Sequence, residues 1–426
     1  MTTVLILVTV VCLFIPVYVY AGYPALLWLA SRCKRPHGQG DAGHEPSVTL
    51  VISCYNEADV IARKLENSLA LDYPGNKLAI LVVSDGSDDG TDNIVKGFAN
   101  KGIRLIRQEG RLGKTMGLNL AVEAADSEII VFSDANAMYD TQAVRYLVRH
   151  FSHQKVGYAV GAALYTDADT GASAHNENLY WRYELAIKTW ESRLHSVVGG
   201  DGAIYAIRSR LWQPLQQRDI NDFVNPLQII AQGYRGRFEP RAQCFEETAG
   251  SFDKEIARKE RIVNRSIRGL MRVKSVMNPL KTGVFSSMVI SHKLLRWLIP
   301  YFLVLGVAGS ALLASQSLAL FQLITLCSLG LLLLATTGQL WRDKTRLPTV
   351  LSLPYYFVMV NAYAMKGIYK ALRGETQVTW SSARPDAAIN PQEKSGSHSL
   401  PLPTKSLLLL LVSLVLLGAS LGLPYV

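Results

Sequence analysis

The chain has 426 residues, of which 49% are hydrophobic and only 18% are charged, whereas soluble globular proteins carry about a quarter of charged residues. Its 44 basic and 34 acidic residues give a net charge of +10, yet no charged residue precedes Arg32 and only 13 of the 78 follow residue 296. Uncharged runs of this length argue against a purely soluble enzyme, a disordered chain and a disulfide-rich secreted domain, and they predict a charged domain set between membrane segments.

The first predicted element is a membrane anchor. Residues 1–31 contain no charged side chain, and Arg32, Lys34 and Arg35 follow almost directly. Basic residues beside an apolar run stay on the cytosolic side of a membrane, so the sequence predicts an anchor whose N-terminus lies outside. At about 1.5 Å per residue the run is longer than a ~30 Å hydrocarbon core, which predicts a helix that is tilted or is kinked at Pro16.

Residues 47–250 are predicted to form an α/β domain with a mostly parallel sheet. Short apolar runs alternate here with helical patterns, as in chains whose strands are joined by crossover helices. The predicted strands are residues 47–54, 78–84, 103–106, 128–133 and 157–164. The predicted helices include residues 59–71, 91–99, 114–125 and 141–151. Ligands of such sheets bind at the carboxyl ends of the strands, so the chemistry is expected there.

Three of the predicted strands end in acidic and polar residues. The first strand runs into residues 55–57 (YNE), the second into 85–90 (DGSDDG) and the fourth into 134–136 (DAN). Carboxylates can accept hydrogen bonds from ribose hydroxyls or from the imide of a base, and glycine lets the backbone approach a ligand closely. The first strand is not followed by GxGxxG, and the chain contains neither GxxxxGKS nor GxxxxGKT, so dinucleotide-binding and P-loop sites lack their motif. The sequence therefore predicts a nucleotide site of another kind.

The fourth strand end also predicts a metal site. Asp134 and Asn136 offer hard oxygen ligands two residues apart, on one face of an extended chain, and such ligands suit Mg²⁺ or Mn²⁺ bridging a diphosphate. Lys114 follows Gly113 at the start of a predicted helix, where the ammonium group and the helix N-terminus would both attract an anionic leaving group. The alternative for each motif is a polar turn or a surface lysine without a ligand.

The rest of the chain is predicted to lie at or in the membrane. The predicted segments are amphipathic interface helices at 251–293, transmembrane or interface helices at 294–380, a polar linker at 381–404 and a C-terminal transmembrane helix at 405–426. The uncharged run 297–340 is long enough for two spans, with the turn at 315–317. Residues 347–365 have basic residues on both flanks, and a segment with both flanks in the cytosol cannot cross the membrane once. The segment is therefore expected to lie at the interface or to pack against other helices as a broken segment, and a fifth span is the open alternative to the four spans predicted.

Taken together, the motifs resemble those of the family 2 membrane glycosyltransferases that build β-linked polysaccharides, a group with hyaluronan, chitin, cellulose and poly-N-acetylglucosamine synthases. The resemblance covers about residues 1–385 and implies a GT-A domain, an α/β fold with a mostly parallel, Rossmann-like sheet, inserted between transmembrane α-helices. It implies that Asp85 contacts the uridine of a UDP-sugar, and that Asp134 and Asn136 occupy the metal motif, which is usually Asp-x-Asp. The donor-binding residues that it implies are Tyr55, Asn56, Glu57, Asp85, Lys114, Asp134 and Arg261.

The resemblance also assigns residues to the reaction. The family's TED motif, whose last residue is the catalytic base, matches residues 220–222 (IND) and implies that Asp222 is the base, with Asp219 as the alternative. The QxxRW motif matches residues 258–262 (RKERI) and retains Arg261, which would help to bind the pyrophosphate. The residues implied on the acceptor side are Gly200, Asp201, Trp181 and Trp190. Residues 374–380 (GETQVTW) and Arg384 resemble a cytosolic gating element.

The function implied is that of an inverting glycosyltransferase which uses a UDP-sugar and Mg²⁺ or Mn²⁺ to elongate a β-linked polysaccharide at the inner or plasma membrane. The catalytic domain would be cytoplasmic, and the partners would be the growing glycan, membrane lipids and export or accessory subunits. Nucleic acid is not expected, because lipid headgroups and membrane topology account for the basic residues beside the apolar runs. Two alternatives remain open: transfer of a single sugar to a membrane lipid, and a nucleotide-binding subunit that has lost its chemistry.

Overall fold

The computed structural model describes residues 2–34, 38, 40–165, 172–246, 252–341 and 347–375. The predicted linker at 381–404, the predicted last span at 405–426 and Arg384 lie outside the described residues, as does most of the predicted gating element. The described chain forms an α/β domain that packs against a set of long helices.

Eight strands form one sheet within the described residues. They are β1 Val48–Cys54, β2 Leu78–Ser84, β3 Ile103–Arg107, β4 Ile129–Asp134, β5 Met138–Tyr139, β6 Val156–Tyr165, β7 Tyr205–Arg208 and β8 Arg235–Glu246. Their order across the sheet is β3-β2-β1-β4-β7-β6-β8-β5. The first four of these run parallel and so do β6 and β8, whereas β7 is antiparallel to both of its neighbours and β5 to β8. The predicted α/β fold with a mostly parallel sheet is confirmed.

The helices that precede β8 in the chain are α1 Thr2–Val17, α2 Tyr23–Arg32, α3 Ala58–Leu69, α4 Thr91–Lys96, α5 Lys114–Glu123, α6 Ala143–Val148, α7 Ala172–Leu194 and α8 Asn221–Ala231. Those that follow are α9 Phe252–Arg272, α10 Pro279–Thr282, α11 Val284–Val289, α12 Leu295–Ala314, α13 Ala319–Leu340 and α14 Thr349–Leu372. Crossover helices such as α3 form because apolar residues recur every four positions: Ile61 and Leu65 are fully buried, whereas Arg63 and Glu66 are exposed.

The strand register brings the polar strand ends to one edge of the sheet. Cys54 at the end of β1 pairs with Ser84 at the end of β2, and Ser53 pairs with Asp134 at the end of β4. The chain leaves β1 towards β2 on one side and returns to β4 on the other. β1 therefore lies at the point where the strand order reverses, which is where open α/β sheets bind ligands.

Within the described part of the chain, three helices are long and apolar enough to cross a membrane: Thr2–Arg32, Val284–Ala314 and Ala319–Leu340. The first contains a π-helical turn at Tyr18–Gly22, just after Pro16. The turn predicted at 315–317 is present between the other two. The second begins well before the predicted residue 297 and so includes Lys293 and Arg296, which form ion pairs with the α/β domain instead of flanking the span.

The structure differs from the sequence prediction in three further elements. The strands β5 and β8 were not predicted, because β5 has only two residues and β8 contains five charged ones within its 12. Residues 349–372 form the continuous helix α14 with Pro354 inside it, so the expectation of a broken segment is wrong. Asn264 of α9 donates a hydrogen bond to the Gly367 carbonyl at 3.1 Å, which fixes α14 to the interface helix.

The packing of α1 against α12 depends on a glycine. A Cβ atom at Gly306 would lie 2.8 Å from Cδ2 of Leu13, whereas a Cβ at Gly330 of α13 would meet no described atom within 4 Å. We expect Gly306→Val to lower the free energy of unfolding by about 1–3 kcal/mol, because the valine side chain would overpack against Leu13. Gly330→Val should lower it less, because both substitutions change helix propensity but only the first introduces a clash. Thermal unfolding of the two variants in the same detergent tests this. Equal losses would show that α1 and α12 do not pack in this way.

Candidate active site

The second strand end holds a carboxylate in a ring of donors. Oδ1 of Asp85 accepts hydrogen bonds at 2.8 Å from the side chain of Gln108 and from the backbone N–H groups of Leu112 and Gly113. Burial raises the pKa of Asp85, and the two backbone donors partly offset this effect. Oδ2 is buried and has no hydrogen-bond partner among the residues that the structure describes, so it is available to a donor group of a ligand.

The first strand end is shaped by an unusual backbone conformation. Asn56 has a φ of 52°, in the left-handed region, and its side chain donates to Asp88 at 2.7 Å and accepts from the Asp88 N–H at 3.0 Å. The next backbone N–H, that of Glu57, donates to Thr91 Oγ1 at 2.8 Å. These bonds fix the first polar strand end to the second. Tyr55 lies beside them, with the Arg111 guanidinium 3.8 Å from its ring centroid.

Gly202 is the point at which the predicted catalytic groups converge. A Cβ atom at Gly202 would lie 3.4 Å from Oδ2 of Asp222, 3.5 Å from Nζ of Lys114 and 3.7 Å from Oδ2 of Asp134. The Gly202 N–H donates to Asp222 Oδ2 at 3.0 Å, and Lys114 forms an ion pair with Asp134. Side chains from β4, α5 and α8 therefore surround one glycine, where a larger residue would fill the space between them.

The two candidate bases have different environments. Asp222 lies near the start of α8, where burial raises the pKa of its carboxyl group and Lys114 acts in the opposite direction. Asp219 is buried too, but its Oδ2 accepts from the Gln216 N–H at 2.7 Å and pairs with Arg272 at 2.6 Å. The carboxylate of Asp219 thus connects the loop before α8 to Arg272 of the interface helix α9. The carboxylate of Asp222 instead lies beside Gly202, where Lys114 and Asp134 also converge.

The expected metal ligands are only partly arranged as predicted. The chain turns at Ala135 and Asn136 immediately after Asp134, so the extended conformation expected for residues 134–136 is wrong. Oδ1 of Asp134 accepts from Ser53 at 3.1 Å and pairs with Lys114, while the side chain remains 35% exposed. The described residues contain no group of three or more His, Cys, Asp or Glu side chains that could hold a metal. These oxygen donors fit Mg²⁺ or Mn²⁺ only if phosphate oxygens and water complete the coordination.

The interface helix α9 brings a cation to the same region. Burial lowers the pKa of Arg261, and so does the neighbouring Arg258, whereas the charges of Asp134 and Asp222 raise it. One turn later, Arg265 donates to the Arg218 and Gln217 carbonyls and to Thr115 Oγ1, each at 3.1–3.3 Å. The α9 helix is therefore attached both to the start of α5 and to the loop before Asp222.

The predicted acceptor-side residues divide into two sets. Gly200 donates its N–H to the Asp222 carbonyl at 2.5 Å and lines a cavity, and Asp201 pairs with Lys188 at 3.3 Å. Trp181 donates to the Ala163 carbonyl at 2.5 Å, and Trp190 packs against the hydrophobic core. Neither tryptophan lines the cavity, although Tyr183 of the same helix does.

The cavity beside Asp222 has a volume of about 670 Å³ and extends between the α/β domain and the membrane helices. Its walls come from the loop before β7, from α8, α9 and α12, and from α14. Its lining residues include Tyr20, Tyr183, Gly200, Asp222, Lys259, Lys293, Arg296, Trp297, Leu353, Tyr356, Phe357, Val360 and Asn361.

Sequence reasoning missed two ionisable groups near the site. Lys64 is fully buried and donates to the Ala137 carbonyl, with Nζ 4.0 Å from the centroid of the Tyr139 ring, so it supports the turn that follows Asp134. Burial lowers the pKa of Lys64 to about 7.

The second group is Glu246, the last residue of β8. Burial, together with the charges of Asp134 and Asp201, raises its pKa to about 8. A prediction of β8 would have identified Glu246 as a candidate, because it is an acidic residue at the end of a strand.

Part of the chain matches a known protein family. Residues 49–210 match the family described as "Glycosyl transferase family 2". This part of the chain is a family 2 glycosyltransferase domain. The match contains β2 to β7 and all but the first residue of β1, and so includes Asp85, Lys114 and Asp134, whereas Asp222 lies beyond it.

The glycosyltransferase domain has curated relatives among polysaccharide synthases. The chain is 27% identical over 221 residues to the "Poly-beta-1,6-N-acetyl-D-glucosamine synthase" of Staphylococcus aureus (strain MSSA476), covering 50% of this chain and 53% of the relative. It is 29% identical over 116 residues to the protein of that name from Staphylococcus epidermidis, covering 27% and 28%. The chain therefore spans about half the length of the first relative and a smaller part of the second.

A solved structure resembles more of the chain. It is a mannosyltransferase from Pyrobaculum calidifontis in complex with GDP-Man and Mn²⁺, with a TM-score of 0.63 and 22% sequence identity. The similarity covers 86% of this chain and 99% of the other. At this identity the likeness establishes a shared fold, including the helices beside the glycosyltransferase domain.

The raised pKa of Glu246 predicts a pH dependence of stability. A carboxyl group whose pKa is raised to about 8 keeps a proton that the unfolded chain releases near pH 4.3, so the free energy of unfolding falls as pH rises between these values. Glu246→Gln removes this effect. The variant's advantage over the parent should grow from pH 5 to pH 8.5, to no more than about 2 kcal/mol after allowance for solvent screening.

The measurement is thermal or chemical unfolding at a series of pH values. Glu123→Gln is the matched control, because Glu123 is exposed at the end of α5. A pH-independent difference between Glu246→Gln and the parent would contradict the assignment of Glu246 as a protonated acid at neutral pH.

Proposed function

We propose that the chain transfers a sugar from a UDP-α-sugar to a hydroxyl group of a growing β-linked glycan, with inversion at the anomeric carbon, on the cytoplasmic side of the inner or plasma membrane. The observation that carries the proposal is the convergence of Asp134, Lys114 and Asp222 around Gly202. A leaving group that gains negative charge and an attacking hydroxyl that loses a proton need a cation and a base close together.

The donor would lie along the edge formed by β1, β2 and β4. Asp85 has an unpartnered buried oxygen for the imide of a base, and Tyr55, Asn56 and Glu57 would border the nucleotide. Lys114 and Arg261 would stabilise the charge of the departing diphosphate. A divalent metal held by Asp134, with Asn136 in support, would supply further charge neutralisation, and the Mn²⁺ of the similar mannosyltransferase structure supports this part of the proposal.

Asp222 would act as the base in a single displacement. The acceptor oxygen forms a bond to the anomeric carbon, the bond from that carbon to the diphosphate oxygen breaks, and the acceptor proton moves to Asp222. Among the described residues, Asp222 is the carboxylate that lines the cavity, and its raised pKa makes this carboxylate a stronger base than an exposed aspartate. One base without an enzyme nucleophile gives inversion, and hence a β product from an α donor.

Two observations bear on the acceptor. The curated relatives are named as synthases of a β-linked polymer of N-acetylglucosamine, which supports elongation of a polysaccharide. The helices that can cross a membrane would anchor the enzyme as a multi-pass protein and could form part of an export path. Transfer of a single sugar to a lipid remains the second candidate, because the cavity beside Asp222 is also lined by apolar residues of α14.

The proposal is tested first by replacing the base. Asp222→Asn should reduce sugar transfer by about 10²–10⁴-fold, because the amide cannot accept the acceptor proton, while binding of UDP is retained. Transfer is measured with radiolabelled donor, and binding by calorimetry with UDP. The donors to compare are UDP-glucose, UDP-N-acetylglucosamine, UDP-galactose, UDP-glucuronate and, given the fold neighbour, GDP-mannose.

Asp219→Asn is the matched control, since Asp219 is an aspartate in the same loop that pairs with Arg272. It should lower stability but retain transfer. Full activity of Asp222→Asn, or loss of activity only in Asp219→Asn, would overturn the assignment. Absence of nucleotide release with every donor would instead favour a subunit without chemistry. Chromatography of the labelled product separates a polymer from a single addition.

Removal of divalent metal is expected to lower transfer by at least about tenfold, because the diphosphate charge would then be balanced only by side chains. The assay compares EDTA-treated protein with protein resupplied with Mg²⁺ or Mn²⁺. Asp134→Asn should raise the metal concentration needed for half-maximal rate, while the exposed Asp126→Asn should not. Undiminished transfer in EDTA would contradict a role for metal.

A further inference from the structure

Two rows of polar side chains run along the interface helix α9, and each row has its own partners. The row that faces α14 consists of Glu260, Asn264 and Arg268, which form ion pairs with its lysines or hydrogen bonds with its carbonyl groups. Residues four apart lie on one face of a helix, and Arg265 stands one position beyond this row. Its contacts lie in the glycosyltransferase domain, so α9 holds α14 with one face and the domain with the next.

The guanidinium group of Arg265 joins two separate segments of that domain. Besides its bonds to Gln217, Arg218 and Thr115, it donates to the Asp219 carbonyl. The Thr115 hydroxyl donates to the same carbonyl at 2.9 Å. Guanidinium, hydroxyl and carbonyl thus form one closed contact between α9, the start of α5 and the loop before α8. Only 7% of Arg265 is exposed, so this contact is buried.

The two joined segments carry the two groups on which the proposed transfer depends. Lys114, the cation for the leaving group, directly precedes Thr115. Asp222, the base, follows Asp219 after two intervening residues. The bond between Thr115 and Asp219 connects positions 104 residues apart, so the separation of cation and base is set by tertiary contacts. Misplacing reacting groups by about 1 Å can lower a rate by about 10²-fold.

An arginine suits this junction better than another cation would. A guanidinium has five N–H donors in a rigid planar fork and can bond to several oxygen atoms at once, whereas an ammonium group acts as a single point. Burial and the neighbouring Arg261 lower the pKa of Arg265 to about 10, so the group remains charged at neutral pH. Three of its four acceptors are backbone carbonyls, and the bonds therefore fix the course of the backbone.

We propose that Arg265 is a positioning residue for sugar transfer, which fixes the distance between Lys114 at the start of α5 and Asp222 at the start of α8. It would act through the backbone of both segments. Asp85, the group proposed to bind the base of the donor, is held by Gln108 and by two backbone N–H groups, none of which bonds to Arg265. Binding of UDP would therefore not depend on Arg265. This inference rests on the proposed function.

The test measures turnover per UDP-binding site, so that a smaller folded fraction does not count as slower catalysis. The full chain in nanodiscs is titrated with UDP by calorimetry and assayed with its preferred radiolabelled donor. Arg265→Met should lower kcat per site by about 10–100-fold and change the Kd for UDP by less than about threefold, because the lost contact displaces the reacting groups and spares the base site. Arg265→Lys should recover part of this loss, because an ammonium group replaces some of the bonds.

Arg268→Met is the matched control, because it removes an arginine from the same helix whose bond, at 2.9 Å, goes to the Ala371 carbonyl of α14. Both methionine variants should have a lower Tm, but Arg268→Met should keep kcat per site within about twofold. Thr115→Val removes the hydroxyl with little change in shape and should lower kcat per site by at least about threefold. Combined with Arg265→Met it should add little, because both substitutions break one contact.

Unchanged turnover per site in Arg265→Met, or equal losses in Arg265→Met and Arg268→Met, would overturn the inference. If Arg265→Met yields no protein that binds UDP, the same criterion applies to Arg265→Lys and Thr115→Val. Failure of the proposed function would look different, since the parent protein would then bind UDP but transfer sugar to no acceptor. That result would reject the function and, with it, the role of Arg265.

Discussion

The in-register parallel pairing of β1 with β2 and β4 is the constraint on which the site depends. It brings the ends of three strands together, so that Ser53 lies beside Asp134 and Cys54 beside Ser84. The polar residues that follow these strands therefore lie together at one edge of the sheet, where hydrogen bonds such as that between Asn56 and Asp88 join them. A shift of one residue in this register would turn alternate side chains to the other face of the sheet.

A second constraint places the glycosyltransferase domain on the membrane helices. The carboxylates of Glu184 and Glu191 and the imidazole of His292 are buried, and buried charges are stable only when they are paired and hydrogen-bonded. Arg265 connects α9 to the loop before α8 in the same way. The placement of the glycosyltransferase domain on α9 and on the helix before α12 therefore follows from ionic and hydrogen-bonding contacts, while the apolar surfaces of the spans remain available to lipid.

In the proposed mechanism, Asp222 would serve both the donor and the acceptor. Lys114 lies close enough to favour its charged form, and burial favours the neutral form. The same residue borders the donor groups around Gly202 and lines the cavity that opens towards α14. We infer that proton transfer occurs where these two spaces join, which requires the acceptor to enter from the side of the membrane.

The sequence by itself determined the strands β1 to β4, the polar residues at their ends and the turn between α12 and α13. These features are local: apolar runs of strand length, acid and glycine at turns, and uncharged runs long enough to span a bilayer. Asp85, Lys114 and Asp134 could be chosen for the same reason, since each stands next to such a run.

The tertiary structure alone decided the partners of these residues. Lys293 and Arg296 resemble membrane-flanking cations in sequence, but they line a cavity because Glu184, more than 100 residues earlier, holds them. Trp181 and Trp190 resemble a sugar platform, yet they pack against the domain because α7 turns them towards β6 and the core. Glu246 and Lys64 gained their shifted pKa values from burial, which depends on how distant segments cover one another and leaves no periodic pattern in the chain.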